Sequence, residues 1–277
     1  MKNVFKLTLV AIFLAFGFVS CSSDEENIEI TTTTEDGEDG EDVNDVGDDE
    51  NTEAVAQLHP AFAAFSDAVT VTLSDDGTQV YIETTGYPDH TSIYWETDHA
   101  LYEDESVNGV VKTTQDTYIG GGTGEAASFT VDAVPNLTGA SEATHLDTIG
   151  IAVSGASIFN DQEGAGDLDQ AAGSLDYNGG HKGPGVYHYH LEPKSVSNDD
   201  DNLVGILEDG VFIYGRQCSS TGTYPTDLDA SGGHTSTTQY TDGEEEYHYH
   251  IINEEYNAPL YAYDEAIVLF AGPFQGF

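Results

Sequence analysis

The stretch "VTVTLSDDGTQVYIET" (residues 69–84) decides the fold class. Apolar or β-branched residues alternate with polar ones on both sides of an Asp-Asp-Gly sequence, which is the pattern of two β-strands joined by a tight turn. Similar short runs follow between Gly, Asp and Asn residues, and no long amphipathic helix pattern occurs. The sequence therefore predicts an all-β domain, sandwich-like or barrel-like, with one short helix around residues 58–67. Further candidate strands are residues 91–96, 128–134, 149–153, 204–208, 211–215 and 266–272.

Residues 1–20 have the pattern of a signal peptide. Two lysines precede an apolar run that is too short for a comfortable membrane span and ends at Ser20-Cys21. The junction "FVSC" resembles a bacterial lipobox, which predicts that Cys21 is acylated as the first residue of the mature chain. The acidic "CSSDEE" resembles the tag of lipoproteins on the outer cell surface. We therefore expect a lipid-anchored protein of the bacterial cell envelope, at the outer-membrane surface, with an ordinary secreted protein as the alternative.

The mature chain is strongly acidic, with four basic residues against 51 acidic ones. Fifteen acids lie in residues 24–53, where large apolar residues are almost absent, so residues 21–57 are expected to form a disordered, self-repelling tether. Residues 58–277 carry the other 36 acids and form the predicted domain. This charge disfavours nucleic acid and anionic membrane surfaces as partners and favours cations, so the lipid anchor is the expected membrane contact. Salt adaptation or solubility explains the charge without a specific partner, and the oligomeric state is open.

Three blocks of sequence occur twice in the same order. Their offsets are 55, 53 and 60 residues, as expected when insertions fall in loops. The order predicts an internal duplication, with copy 1 at residues 148–193 and copy 2 at residues 203–252. An N-terminal β part (68–147) and a closing segment (253–277) flank the two copies. The pairs are "IGIAVSGASIFN" (149–160) with "VGILEDGVFIYG" (204–215), "LDYNGGH" (175–181) with "LDASGGH" (228–234), and Tyr-His-Tyr-His at 187–190 with the same residues at 247–250.

These blocks resemble the YHYH-domain proteins, a family of secreted or lipid-anchored bacterial proteins. "TTGYPDH" (84–90) is similar to the family's Gly-x-Pro-x-His element, and the resemblance also rests on "IGIAVSGASIFN", "GGHKGPGVYHYH" (179–190), "VGILEDGVFIYG" and "LDASGGH". It covers about residues 68–275. Ser154 stands where the family often has Asn, and an acidic insertion (242–246) precedes the second Tyr-His-Tyr-His. The resemblance implies an extracellular location and no particular reaction.

The repeated histidines have the spacing of metal ligands. Successive side chains of a strand point to opposite faces, so His188 and His190 share one face, as do His248 and His250 in the second copy. Two histidines on one face can bind an ion together with a third from elsewhere in the fold. Residues 181 and 234 supply that third histidine, each after a Gly-Gly pair that permits close backbone approach or positive φ angles.

We therefore predict a transition-metal site. All-imidazole ligation suits Zn, Cu or Ni, and added carboxylates would admit Mn or Fe. Asp176 and Asp229, five residues before the loop histidines, are predicted to orient them. One pocket shared by the two copies is preferred over two sites, because duplicated β units usually pack equivalent faces together. A hydrogen-bonded ladder of His and Tyr without metal is the alternative. The predicted ligands are His181, His188, His190, His234, His248 and His250, with His90 as a further candidate.

Two weaker signals concern other ligand types. Cys218, the one cysteine left if Cys21 is acylated, is interpreted as a small buried hydrophobic residue rather than a ligand. Residues 160–170 space four acids like a calcium loop, but Ala172 stands where an EF-hand needs Glu, so calcium is less favoured than a transition metal. The four acids are Asp161, Glu163, Asp167 and Asp169.

Three classes of function follow, and whether the protein is an enzyme stays open. The favoured class is a cell-surface module that captures a transition-metal ion. The second is a metal-dependent, hydrolase-like enzyme with a three-histidine site, for which Glu208 and Asp209 are the candidate bases; Asp209 is also a candidate support for the ligands. The third is a non-catalytic adhesion or glycan-binding domain, in which Trp95 and a tyrosine-rich face contact the ligand and the histidines are structural.

Overall fold

The computed structural model describes residues 57–104, 109–112, 118–121, 125–164, 166–183 and 185–277. The predicted signal peptide, Cys21 and the tether up to residue 56 lie outside the described residues. The described part is nearly all β, with sheets of three, eight and two strands and only short 3-10 helices, so the predicted all-β, sandwich-like fold is confirmed. Within it, no helix is long and apolar enough to span a membrane. The 3-10 helices are Pro60–Ala64, Leu168–Gln170 and Ala172–Ser174.

The predicted hairpin begins the three-stranded antiparallel sheet. Strands β1 (Val69–Leu73), β2 (Gln79–Thr84) and β3 (Ala127–Asp132) lie in this order. Alternation along β2 buries Val80 and Ile82, while the side chains between them face solvent. The buried side of this sheet is therefore available to pack on a second sheet.

Eight further strands form one mixed sheet, and two more form a small hairpin. The hairpin consists of β6 (Gln162–Glu163) and β7 (Gly166–Asp167). The strands of the large sheet are β4 (Gly150–Ala152), β5 (Ser157–Ile158), β8 (Gly180–Lys182), β9 (Tyr187–Tyr189), β10 (Leu203–Leu207), β11 (Phe212–Tyr214), β12 (Gly233–Thr237) and β13 (Glu245–His250). Their order across the sheet is β12-β13-β11-β10-β4-β5-β9-β8.

The two halves of this sheet have the same pairing pattern. In one half β4 and β5 are antiparallel, β5 and β9 parallel, and β9 and β8 antiparallel. In the other half β10, β11, β13 and β12 repeat the same three pairings, and β4 pairs with β10 at the centre. This order is compatible with the predicted duplication, which as an event of ancestry stays a prediction.

Apolar side chains cover both faces of the large sheet. On one face Val80, Ile82 and Val131 of the three-stranded sheet cluster with Ile206 and Phe212. The other face carries a cluster that joins the tyrosines of β9 and β13 to residues of the closing segment. Because neighbouring residues of a strand alternate between faces, the histidines of β9 and β13 point away from the tyrosine side.

Two predicted strands are wrong. Ser92 makes only an isolated bridge within residues 91–96, and residues 266–272 contribute isolated bridges at Ile267 and Val268. Ile93, Tyr94 and Trp95 are all buried, although their backbone turns locally, with the amide of Trp95 donating to the carbonyl of Ser92. A continuous apolar run indicates burial, and it does not by itself establish strand pairing.

Candidate metal centres

Two groups of histidines converge in the structure, each with one further side chain. The glutamate group consists of Glu163, His181, His188 and His190, and the cysteine group of Cys218, His234, His248 and His250. Within each group, one possible ligand atom from every residue lies within 4.8 Å of the others. Either group could therefore hold a metal ion. All six histidines are predicted ligands from the sequence, whereas the glutamate and the cysteine are not among the ligands predicted for this metal.

Neighbouring strands bring the glutamate group together. His181 on β8 is the direct cross-strand partner of His188 on β9. His190 follows β9 on the same face, and Glu163 ends β6 in the small hairpin. The three histidine side chains are almost fully buried, whereas the carboxylate of Glu163 is one-third exposed.

The protons of these imidazoles sit on Nδ1. His188 donates from Nδ1 to the carbonyl of Val186 at 3.1 Å, and His190 donates to the carbonyl of Asn160 at 2.8 Å. His181 Nδ1 lies 2.9 Å from the hydroxyl of Ser174. That hydroxyl donates its own hydrogen bond to the carbonyl of Ala171, so it accepts from His181 Nδ1. Each neutral imidazole carries one N–H, so all three Nε2 atoms keep a free lone pair.

The Nε2 lone pairs of the glutamate group face one another. His188 Nε2 lies 3.0 Å from that of His181 and 3.1 Å from that of His190. Glu163 Oε2 lies 3.4 Å from His181 Nε2 and 3.3 Å from His190 Nε2. Tetrahedral coordination with bonds of 2.0–2.1 Å places ligand atoms about 3.3 Å apart. The four atoms therefore have the spacing of ligands around one ion.

The electrostatics of this group suit a cation. Burial lowers the pKa of His188 well below its ordinary range, and the neighbouring His181 and His190 rings lower it further. Burial thus favours the neutral form of His188, which is the form that binds metal.

The cysteine group repeats the arrangement in the other half of the sheet. His234 on β12 pairs with His248 on β13, and His250 ends β13. The Nδ1 atoms of His248 and His250 donate to the carbonyls of Glu246 and Gly215 at 3.0 and 2.7 Å. His234 Nδ1 lies 3.0 Å from the carboxylate of Asp227. All three Nε2 atoms are again left as acceptors.

The distances in the cysteine group match a thiolate-containing site. The Nε2 atoms of His248 and His250 are 3.1 Å apart, and Cys218 Sγ lies 3.6 Å from His234 Nε2. Bonds of 2.3 Å to sulfur and 2.0–2.1 Å to nitrogen give about 3.6 Å between the two atoms in a tetrahedron. Burial lowers the pKa of His248 and of His250 to about 4. Burial would raise the pKa of the Cys218 thiol, but hydrogen bonds with Ser220 and Ser236 outweigh it and lower the pKa.

One offset in the sequence relates the two missed residues. Glu163 and Cys218 are 55 residues apart, the same offset that aligns the first repeated blocks. Asn160 and Gly215, whose carbonyls accept from His190 and His250, share this offset. Extending the first alignment by three residues would have found both residues, although their different side chains conceal the match.

The three aspartates predicted to support the ligands contact tyrosines instead. Asp176 accepts from the hydroxyls of Tyr187 and Ser92, and Asp229 accepts from Tyr247. Both carboxylates also accept hydrogen bonds from the backbone N–H groups two and four residues further along the chain. They therefore stabilise the loops that lead to His181 and His234. The structure therefore does not bring these two carboxylates to the histidines, because an Asp at the start of such a turn bonds its own backbone. Asp209 likewise accepts from Tyr249 and from three backbone N–H groups, those of Val211, Gln275 and Gly276.

The Gly-Gly pairs have the two roles predicted for them. The first glycine of each pair, Gly179 or Gly232, has a positive φ, of 65° and 78° respectively. The second lies against a tyrosine: a Cβ on Gly180 would stand 2.7 Å from the Tyr187 hydroxyl oxygen. The absence of a side chain lets this hydroxyl reach Asp176.

His90 lies outside both groups, on the tyrosine side of the sheet. Its Nε2 bonds to the hydroxyl of Tyr189, its ring stacks on the same tyrosine, and its Nδ1 lies 2.8 Å from the carbonyl of Thr91. Glu208, a candidate base, instead lies 2.7 Å from the exposed His145. The structure therefore does not bring His90 or Glu208 to the six histidines.

The preferred shared pocket is also absent from the described residues. Four strands separate β9 from β13, which corresponds to roughly 24 Å across the sheet. The copies abut through β4 and β10 rather than packing equivalent faces together, so each builds its own histidine group.

One comparison with known proteins finds a family match over part of the chain. A family model described as YHYH protein matches residues 128–226, which confirms the resemblance found in the sequence. The matched segment contains the whole glutamate group and Cys218, and it ends before the three histidines of the cysteine group. No curated protein and no solved structure matches the chain.

Proposed function

We propose that this YHYH-domain-containing protein binds two transition-metal ions at the bacterial cell surface, one in the glutamate group and one in the cysteine group. The observation that carries the proposal is the convergence of three Nε2 atoms in each group, on rings whose Nδ1 atoms face hydrogen-bond acceptors. Lone pairs at about 3 Å repel one another, and a cation between them turns that repulsion into coordination.

The metal-free ladder of His and Tyr fits these contacts poorly. A ladder through Nε2 needs N–H donors there, but Nδ1 carries the proton in His188 and His190. A bridging proton would make one of the imidazoles cationic, and burial opposes this by lowering the pKa of His188. The tyrosines bond to aspartates on the opposite side of the strand.

Capture or storage of an ion is favoured over hydrolysis. Each group offers four protein ligands, which is the closed coordination of a structural or storage site, whereas a catalytic zinc keeps one position for water. Asp209 is buried and hydrogen-bonded to Tyr249 and backbone amides, so it is poorly placed to act as a base.

Adhesion through an aromatic face is less well supported. Trp95 is 5% exposed, and Tyr187, Tyr189 and Tyr249 are fully buried. Side chains that bind glycans by stacking need an accessible ring. These four residues contribute to the core instead.

The proposed location rests on the N-terminal sequence. Acylation of Cys21 would anchor the chain, and the acidic residues of 24–53 would extend the domain from the membrane and raise the local cation concentration. Mass spectrometry of the membrane fraction tests this part separately. A diacylglyceryl group on Cys21 supports it, and a chain that starts elsewhere without lipid contradicts it.

Metal analysis tests the proposed function. The mature chain is purified without chelator and without metal-affinity chromatography. Inductively coupled plasma mass spectrometry is then expected to find two equivalents of transition metal per chain. The His188→Ala/His190→Ala variant should retain one. His145→Ala, which removes an exposed histidine outside both groups, should retain two. A wild-type protein that stays metal-free after incubation with Zn(II), Cu(I) and Ni(II) would contradict the proposal.

A further inference from the structure

The two groups differ in the chemistry of the fourth side chain. Glu163 provides a carboxylate oxygen, and Cys218 provides a sulfur at the equivalent position. The hydroxyls of Ser220 and Ser236 lie 3.2 and 3.3 Å from that sulfur, where they can donate to a thiolate. Thiolate ligands select Cu(I) and Zn, whereas carboxylates also accept harder divalent ions.

The groups also differ in how well they can tolerate net charge. With three neutral imidazoles, a divalent ion leaves a net charge of +1 in either group, and a monovalent ion leaves none. The Glu163 side chain is 33% exposed, so solvent reaches the rim of the glutamate group. Cys218 is 1% exposed, while His188, His190, His248 and His250 are all 3% exposed or less, so these histidines are equally buried in both groups. The difference in solvent access lies at the fourth side chain, and an uncompensated charge costs more beside the buried sulfur than beside the partly exposed carboxylate.

We propose, on the basis of the metal-binding function proposed above, that the cysteine group is a copper(I) site and the glutamate group a site for a borderline divalent ion such as Zn(II). A monovalent soft ion matches the thiolate in softness and neutralises its charge. The protein thus carries two sites of different selectivity within one repeated framework. Binding leaves the oxidation state of the ion unchanged, so no electron donor is required.

Anaerobic competition with the Cu(I) chelator bicinchoninate tests this preference in three proteins. Wild type and Glu163→Gln should each retain one equivalent of Cu(I) with the same affinity. Cys218→Ser should bind Cu(I) more than about 10-fold more weakly, since even an outer contact of a metal ligand is worth about that factor. Zn(II) titration of Cys218→Ser should still fill the glutamate group, which also reports that the variant is folded.

A spectroscopic measurement keeps the proposal testable if Cys218→Ser fails to fold. Cu(I) bound to wild type and to Glu163→Gln should give a thiolate-to-copper charge-transfer absorption in the ultraviolet. Cu(I) binding without this absorption, or equal Cu(I) affinity in wild type and in a folded Cys218→Ser, would overturn the inference and leave the proposed function standing. A wild type that binds none of these ions would overturn both.

Discussion

The Nε2 atoms of His188 and His190 lie 3.1 Å apart, and both rings donate from Nδ1 to backbone carbonyl groups, so the neutral form of each ring has its lone pair on Nε2. The Nε2 atoms of His248 and His250 have the same separation and the same kind of Nδ1 partners. Imidazole lone pairs at this distance are stable when a cation lies between them. The backbone therefore fixes the tautomer that metal binding requires.

Metal binding should stabilise the folded state. An ion at 100 times its dissociation constant adds about 2.7 kcal/mol per site to the free energy of unfolding. For a domain of this size, this corresponds to a rise in Tm of roughly 5–10 °C per site. Calorimetry of the mature chain with and without EDTA measures the shift.

The matched control for this shift is His188→Ala/His190→Ala, which keeps only the cysteine group. Its Tm should change by about half as much as that of wild type on chelation. Equal shifts in the two proteins would place the stabilising ion outside the glutamate group.

The metal-free protein should lose stability in mild acid. Burial lowers the pKa of His248 and His250 from 6.5 to about 4 in the folded chain. Between these values the unfolded chain binds more protons than the folded one, so the free energy of unfolding falls as the pH drops from about 6.5 to about 4. Urea unfolding in EDTA across this range should show a shallower pH dependence for His248→Gln/His250→Gln than for wild type. Parallel pH profiles would contradict the assignment.

The bond between Tyr187 and Asp176 should contribute to stability rather than to metal binding. Tyr187→Phe removes a 2.7 Å hydrogen bond to a buried carboxylate, at a cost of about 1–3 kcal/mol. Tyr81→Phe, on the exposed face of β2, should change stability by less than about 0.5 kcal/mol. Urea unfolding measures both, and plasma mass spectrometry should find the metal content unchanged. Loss of metal in folded Tyr187→Phe would contradict this division of roles.

Gly180 should tolerate no side chain. A Cβ there would lie 2.7 Å from the Tyr187 hydroxyl oxygen and 2.8 Å from the His188 carbonyl oxygen, and relieving this overlap costs about 1–3 kcal/mol. Gly180→Ala should therefore unfold at lower urea concentration and bind Zn(II) more weakly. Gly173→Ala is the control, because its Cβ would meet Leu260 at an ordinary 3.6 Å. Equal urea midpoints of unfolding for the two variants would contradict this prediction, because they would show that the loop before His181 shifts to accommodate the added methyl group.

The sequence predicted the features that depend on local periodicity. Strand alternation placed His188 and His190 on one face and the tyrosines on the other, and the Gly-Gly pairs have the predicted conformations. The place of Glu163 and Cys218 beside the histidines was missed because both lie outside the repeated blocks and differ in type. Only the offset of 55 residues, which also aligns the first repeated blocks, relates these two residues.

Predictions that depended on long-range packing were less successful. Residues 91–96 and 266–272 are apolar because they enter the core, and their irregular backbone could not be distinguished from a strand by composition. The prediction of a shared pocket was not met because it depended on how the two repeated segments pack against each other. Pairing of β4 with β10 sets that arrangement, and the histidine spacing carries no information about it.

Anomalous diffraction from crystals of the metal-loaded mature chain tests the central claim most directly. We predict two anomalous peaks, one about 2.0–2.2 Å from His181, His188, His190 and Glu163, and one at about 2.0–2.3 Å from His234, His248, His250 and Cys218. Peaks confined to surface carboxylates, with the Nε2 atoms of both groups bonded only to one another or to water, would contradict it.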